Sequence, residues 1–153
     1  ELVDRLVLFG TFGDPRIAFP NPAFSEALVD LVRSNWATGS TMITQLYRPG
    51  ASDEAVRRLS SVLRDATTAE VGVAFLQATL TADASDVLDD VHQPALVIHY
   101  RGDKVVPFAG GEHLAARLPA ARFVPLDGRY HLPDIADVER LDRAIAAFVA
   151  EAR

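Results

Sequence analysis

Two short polar stretches hold the side chains best suited to acid–base chemistry: "YRGDK" at 100–104, which carries Asp103, and "DGRYHLPD" at 127–134, which carries His131. A carboxylate that holds a histidine in one tautomer supplies two-thirds of a hydrolytic triad, because the other ring nitrogen is then free to take a proton from a nucleophile. Each stretch directly follows an apolar run, "PALVIHY" at 94–100 and "ARFVPL" at 121–126. If those runs are neighbouring parallel strands, Asp103 and His131 leave the sheet at the same edge, within reach of a hydrogen bond. Loops beyond the carboxyl ends of parallel strands are where open sheets of this kind place their sites.

The remaining chemistry-bearing residues make weaker patterns. The chain has no cysteine, which removes thiol nucleophiles, thiolate zinc sites and disulfides together. "GASDE" offers Gly50 and Ser52 but no second glycine and no preceding strand, so Ser52 reads as a helix N-cap; Gly39 and Ser40 in "GSTM" are weaker still. Asp127, His131 and Asp134 have the right donor atoms for a metal, yet their spacing matches no metal motif, and none is assigned. His92 falls in a connection, His99 at a strand end and His113 on a helix, all read as structural or solvent-facing. Phe24, Trp36, Tyr47 and Phe75 are candidates to line an acyl pocket, although core packing is the commoner use of such residues. Gly110 and Gly111 lack the lysine and the spacing of a phosphate loop, which leaves close packing as their reading.

The elements that must position Asp103 and His131 follow from the apolar pattern. "RLVLFG" at 5–10 and "PALVIHY" are near-continuous apolar runs, as parallel strands covered on both faces require. Between the second and third strands, "FAGGEHLAARLP" places Leu114 and Leu118 on one helical face after Pro107, completing a strand–helix–strand unit. The last helix is the clearest, with Val138, Leu141, Ile145 and Phe148 at helical spacing and Asp137 and Glu139 near its start. From about 15 to 92 there are no strand signals. Instead Phe24, Leu28, Leu31 and Val32 share one face; Val56, Leu59 and Leu63 share another behind Ser52; and Thr67 with Glu70 has the spacing of a capping box. This stretch reads as a helical insertion.

Composition bounds the function classes. With 153 residues, 49% of them hydrophobic and 24% charged, the chain has the make-up of one globular domain. A net charge of −6 without any Lys/Arg stripe gives no support to nucleic-acid or anionic-membrane binding. No apolar run approaches the roughly 20 residues of a membrane span, and the start lacks a signal-peptide pattern. A cytoplasmic location is the expectation. The chain begins with Glu and enters a strand pattern almost at once, which suggests part of a longer protein.

"PALVIHYRGDKVVPFAGGEHLAARLPAARFVPLDGRYHLPD" resembles the C-terminal part of the α/β-hydrolase fold, in which one strand leads to a "GDxxVP" acid loop and the next to a glycine-containing histidine loop. "LVLFG", "YRPGASDEAVRRLSSVLRDA" and "DASDVLDDVHQPALVIH" resemble the strand before the family's cap, the cap and its return. The resemblance implies a partial α/β-hydrolase fold: three parallel strands with flanking helices, and a helical cap at about 15–92 inserted between core pieces 1–14 and 93–153. It implies Asp103 as triad acid, His131 as general base and no cofactor. The family's G-x-S-x-G nucleophile elbow and oxyanion loop have no match here, so the serine is expected upstream of this chain. The subgroup it most resembles is often attached to bacterial regulatory modules, which leaves a second expectation, a non-catalytic small-molecule sensor. The implied partners are a small-molecule substrate or ligand, and either a second copy or the missing N-terminal part at the open edge of the first strand.

Overall fold

The computed structural model describes residues 3–133 and 135–151, the Ile135 side chain excepted. Three strands, β1 (Leu6–Phe9), β2 (Ala95–Tyr100) and β3 (Ala121–Leu126), form one parallel sheet in the order β1-β2-β3. Every residue of the central strand β2 is buried, which explains why its sequence is apolar but for His99. β1 is less covered: Val7 remains 41% exposed.

Alternation along β2 divides the core into two layers. Leu96, Ile98 and Tyr100 pack with Leu126 against Leu141 and Phe148 of the last helix, α7 (Ile135–Ala150). Ala95 and Val97 face the opposite way, onto Leu114 and Leu118 at α6 (Phe108–Arg117) and onto Leu88. Leu141, Ile145 and Phe148 thus form the stripe expected of α7, whereas Val138 is 43% exposed and stands outside it. Asp137 is held near the start of α7 by the Tyr100 hydroxyl, which donates to its carboxylate at 2.5 Å. α6 is tied to the segment that returns from the helices by Arg117, which donates to both carboxylate oxygens of Asp89 at 2.9 and 2.8 Å and to the Ser85 carbonyl.

The glycine pair predicted to permit close packing does so on the inner face of α6. A Cβ on Gly111 would lie 2.4 Å from Nδ1 of His99, and both residues are buried. Because that Cβ would also lie 2.8 and 3.1 Å from Cγ and Cβ of the fully buried His99, Gly111→Ala is expected to cost about 1–3 kcal/mol of stability by overpacking. Urea unfolding measures it, and an unchanged midpoint would show that the helix can move away from the sheet.

Between β1 and β2 the chain runs through α1 (Pro15–Ala18), α2 (Pro22–Ser34), α3 (Trp36–Tyr47), α4 (Asp53–Ala66), α5 (Ala69–Thr81) and a 3₁₀ turn at Leu88–Asp90. The starts are chemically marked. Asn21, Asn35 and Ser52 each accept a hydrogen bond from an N–H three residues on. α5 departs from the capping box expected of Thr67 and Glu70. Its N-cap is Thr68, which accepts from the Val71 N–H, while Thr67 closes α4 through an N–H to the Leu63 carbonyl. Two residues link these helices, and each threonine serves one end, whereas Asn35 alone closes α2 and caps α3.

α3 lacks a large-apolar stripe because its buried positions are Gly39, Ser40 and Thr44. It packs by close approach: a Cβ on Gly39 would meet the Val32 backbone at 2.8 Å. The expected faces of α2 and α4 also shift. Val29 and Val32 are buried while Phe24 is 49% exposed, and Val56 and Ser60 are buried while Leu59 is 43% exposed. Among the described residues, no helix is long and apolar enough to cross a membrane.

Candidate active site

The end of β2 delivers Asp103. The Arg101 N–H donates to the Leu126 carbonyl at 2.9 Å and the Gly102 N–H to the Gly128 carbonyl at 2.8 Å, so main-chain pairing continues beyond the strands and joins the acid loop to the histidine loop. Both glycines are needed for that approach. A Cβ on Gly102 would lie 2.8 Å from the Gly128 oxygen, and one on Gly128 would lie 2.7 Å from the Tyr100 ring. Asp103 then folds back on its own loop, with Oδ1 accepting from the Val105 and Val106 N–H groups at 2.8 and 3.1 Å.

Its second oxygen, Oδ2, lies 2.9 Å from Nδ1 of His131. The Asp103 side chain is 1% exposed and that of His131 16%. An ionised carboxylate only accepts, so Nδ1 carries the hydrogen and Nε2 of a neutral ring carries the lone pair. Nε2 has no hydrogen-bond partner among the described residues. The pair therefore presents an oriented, unoccupied proton acceptor.

Three further residues touch this pair. His99, read from sequence as a structural strand-end residue, is fully buried; its Nε2 donates to the Val106 carbonyl at 2.9 Å and lies 3.6 Å from Asp103 Oδ2. Two main-chain N–H groups and the ring nitrogens of His131 and His99 thus surround the Asp103 carboxylate. Gly10, at the end of β1, has φ +56°, and a Cβ there would lie 3.4 Å from Cε1 of His131. Its N–H donates to the Ile98 carbonyl at 2.9 Å, fixing the bend that leaves room for the ring. Tyr47, at the end of α3, sets its ring edge-to-face with His131 at a centroid distance of 4.8 Å. Burial and the charge of Asp103 push its phenol above the usual tyrosine range, so the hydroxyl stays protonated at neutral pH.

The other sequence candidates are placed elsewhere. Ser52 caps α4, and Ser40 is buried with its hydroxyl bound to the Ala37 carbonyl and to Arg64; neither is hydrogen-bonded to His131. Phe75 is 62% exposed and Phe24 49%, while the Trp36 ring packs close to Gly72. Of the four proposed pocket aromatics, Tyr47 alone contacts the His131 ring among the described residues. Asp127 is exposed beside Arg101, Asp134 lies outside the described residues, and no group of three or more metal-type ligands occurs among those described. An open groove of about 720 Å³, lined in part by Pro15, Phe19, Val29 and Leu80, shares none of the residues around His131.

A helix-flanked parallel sheet, a helical insertion after its first strand, and acid and histidine loops at its carboxyl edge define the C-terminal part of an α/β-hydrolase fold. Solved structures agree. A hydrolase from Oleispira antarctica superposes with a TM-score of 0.82 at 19% identity, covering 96% of this chain and 56% of that one. An esterase from Exiguobacterium antarcticum does so with a TM-score of 0.81 at 15% identity, covering 97% and 57%. In sequence, the chain is 41% identical over 66 residues to the pimeloyl-acyl-carrier-protein methyl ester esterase of Aromatoleum aromaticum, a match over 43% of this chain and 26% of that protein. No protein-family model matches. The chain thus spans little more than half the length of the solved neighbours, and its sequence match about a quarter of that esterase.

Proposed function

We propose that this chain supplies the acid and the base of a serine hydrolase acting on an ester, amide or related bond, with the serine on a segment preceding residue 1. The observation that carries the reading is the 2.9 Å contact between Asp103 and His131 Nδ1, which leaves Nε2 free at the carboxyl edge of the sheet. The proteins it resembles in sequence and fold include esterases and other hydrolases, which supports the same class of reaction.

In this reading the serine hydroxyl attacks the acyl carbon as its proton passes to His131 Nε2. Asp103 stabilises the imidazolium that results. The tetrahedral intermediate collapses when Nε2 returns that proton to the leaving group, and a water repeats the sequence to release the acid and restore the serine. Donors for the developing oxyanion belong with the upstream segment, as does the serine. The helices between β1 and β2 act as the cap over the bound small molecule, and no cofactor takes part.

The test is a fluorophosphonate label together with an ester panel, applied to the protein carrying the upstream segment. Labelling and turnover that both depend on His131 support the reading. Small-molecule binding with no turnover, and Gly, Ala or Asn in place of the elbow serine, would instead establish a ligand-sensing module.

The proposed division of the sheet also has a consequence for chain 1–153 alone. β1 exposes Val7 beside an edge that β2 does not occupy, and open strand edges recruit other strands. The isolated chain is expected to self-associate or to bind the upstream segment. A stable monomer in light scattering would contradict this.

A further inference from the structure

Resting on the hydrolytic reading above, we propose that the turn from Tyr47 to Gly50 is a clasp that sets the ring of His131, with Tyr47 as the positioning residue that couples the helical insertion to the base. Three successive residues of the histidine loop meet this turn in reverse order. The His131 N–H donates to the Tyr47 carbonyl at 3.1 Å. The Arg48 guanidinium lies over the Tyr130 ring at 4.5 Å. Arg129 lies against Gly50, where a Cβ would be 2.5 Å from Nη2 and where φ is +81°. The positive φ at Gly50 strains any other side chain, and the glycine leaves the Arg129 guanidinium close against the turn.

The hydrogen bond from Nδ1 to Asp103 fixes one point of the imidazole but leaves the ring free to tilt about that contact. The Tyr47 ring, at 80° to it and 4.8 Å away, removes that freedom and directs Nε2. Tyr47 is the last residue of α3, and Ser52, five residues on, caps α4. A displacement of these two helices is therefore passed to the base through a link of a few residues. A ligand seated under the helices would act on turnover by this route.

The expected signature is a loss in kcat rather than in KM, because the base acts in the chemical step and misplacement by about 1 Å costs on the order of 100-fold. In the protein with its upstream segment, Tyr47→Leu, which keeps apolar volume without a flat ring, should lower kcat about 10- to 100-fold with KM within about twofold. Tyr47→Phe keeps the ring and should retain kcat within about twofold. The His131 Cε1–H resonance should shift in Tyr47→Leu and stay in place in Tyr47→Phe, because ring-current shielding follows the aromatic face. Equal kcat for the Leu and Phe variants, whether both are full or both are lost, would overturn the clasp. His131→Ala separates the two levels: retained turnover there would remove the hydrolytic reading itself, while its loss beside an active Tyr47→Leu would remove the clasp alone.

Discussion

Asp103→Asn is expected to lower turnover by about 10⁴-fold with little change in the folded structure. The reason lies in the polarity of its four neighbours. The N–H groups of Val105 and Val106 point at Oδ1, and the ring nitrogens of His131 and His99 lie 2.9 and 3.6 Å from Oδ2. With the two main-chain donors claiming the amide oxygen, the amide nitrogen of an asparagine must face His131. It can only donate, so the imidazole must turn Nδ1 into an acceptor and carry its hydrogen on Nε2. In that tautomer the nitrogen facing the reacting centre has no lone pair to take a proton. The variant should unfold at nearly the wild-type denaturant midpoint, since the loop's main-chain bonds survive. Turnover near wild type would show that Asp103 is a turn residue and no more.

His131→Ala is expected to be at least as damaging, about 10⁴- to 10⁶-fold in kcat, because the proposed mechanism then loses its proton acceptor. Among the described residues His99 is the other imidazole at the acid, and its Nε2 is already committed to the Val106 carbonyl. Stability should also fall, by about 1–3 kcal/mol, as the buried Asp103 carboxylate loses the side-chain donor 2.9 Å from Oδ2. The double variant Asp103→Asn with His131→Ala should be no slower than His131→Ala alone, because an acid that acts only through the base has nothing left to orient. Additive losses would assign Asp103 a separate task. The assay is kcat on one responsive ester for all three variants, with urea unfolding alongside.

Much of the architecture was legible from local patterns. Near-continuous apolar runs marked β1 and β2, although only β2 is buried along its whole length; "GDKVVP" and "DGRYHLPD" marked the loops after β2 and β3; and Ser52 announced the start of α4. Parallel order then brought Asp103 and His131 to one edge without any further information. α3 was not legible because it is buried by small residues, Gly39, Ser40 and Thr44, whose pattern does not differ from that of a polar loop. Phe24 and Leu59 looked like inward positions of α2 and α4 although both are exposed, because periodicity shows that a stripe exists, while its direction depends on which helices lie alongside.

The sequence by itself determined the strand runs and the order of Asp103 before His131, each in the loop after a strand. What only the tertiary structure decided is the immediate surroundings of the imidazole: Gly10 bending at the end of β1, His99 bound to the Val106 carbonyl beside Asp103, and Tyr47 laid against its ring. His99 and Asp103 are near neighbours in the chain, but Gly10 and Tyr47 lie roughly 120 and 80 positions from His131. Contacts across such distances have no local sequence signature, because they arise only after parallel strands and helix packing have brought the segments together.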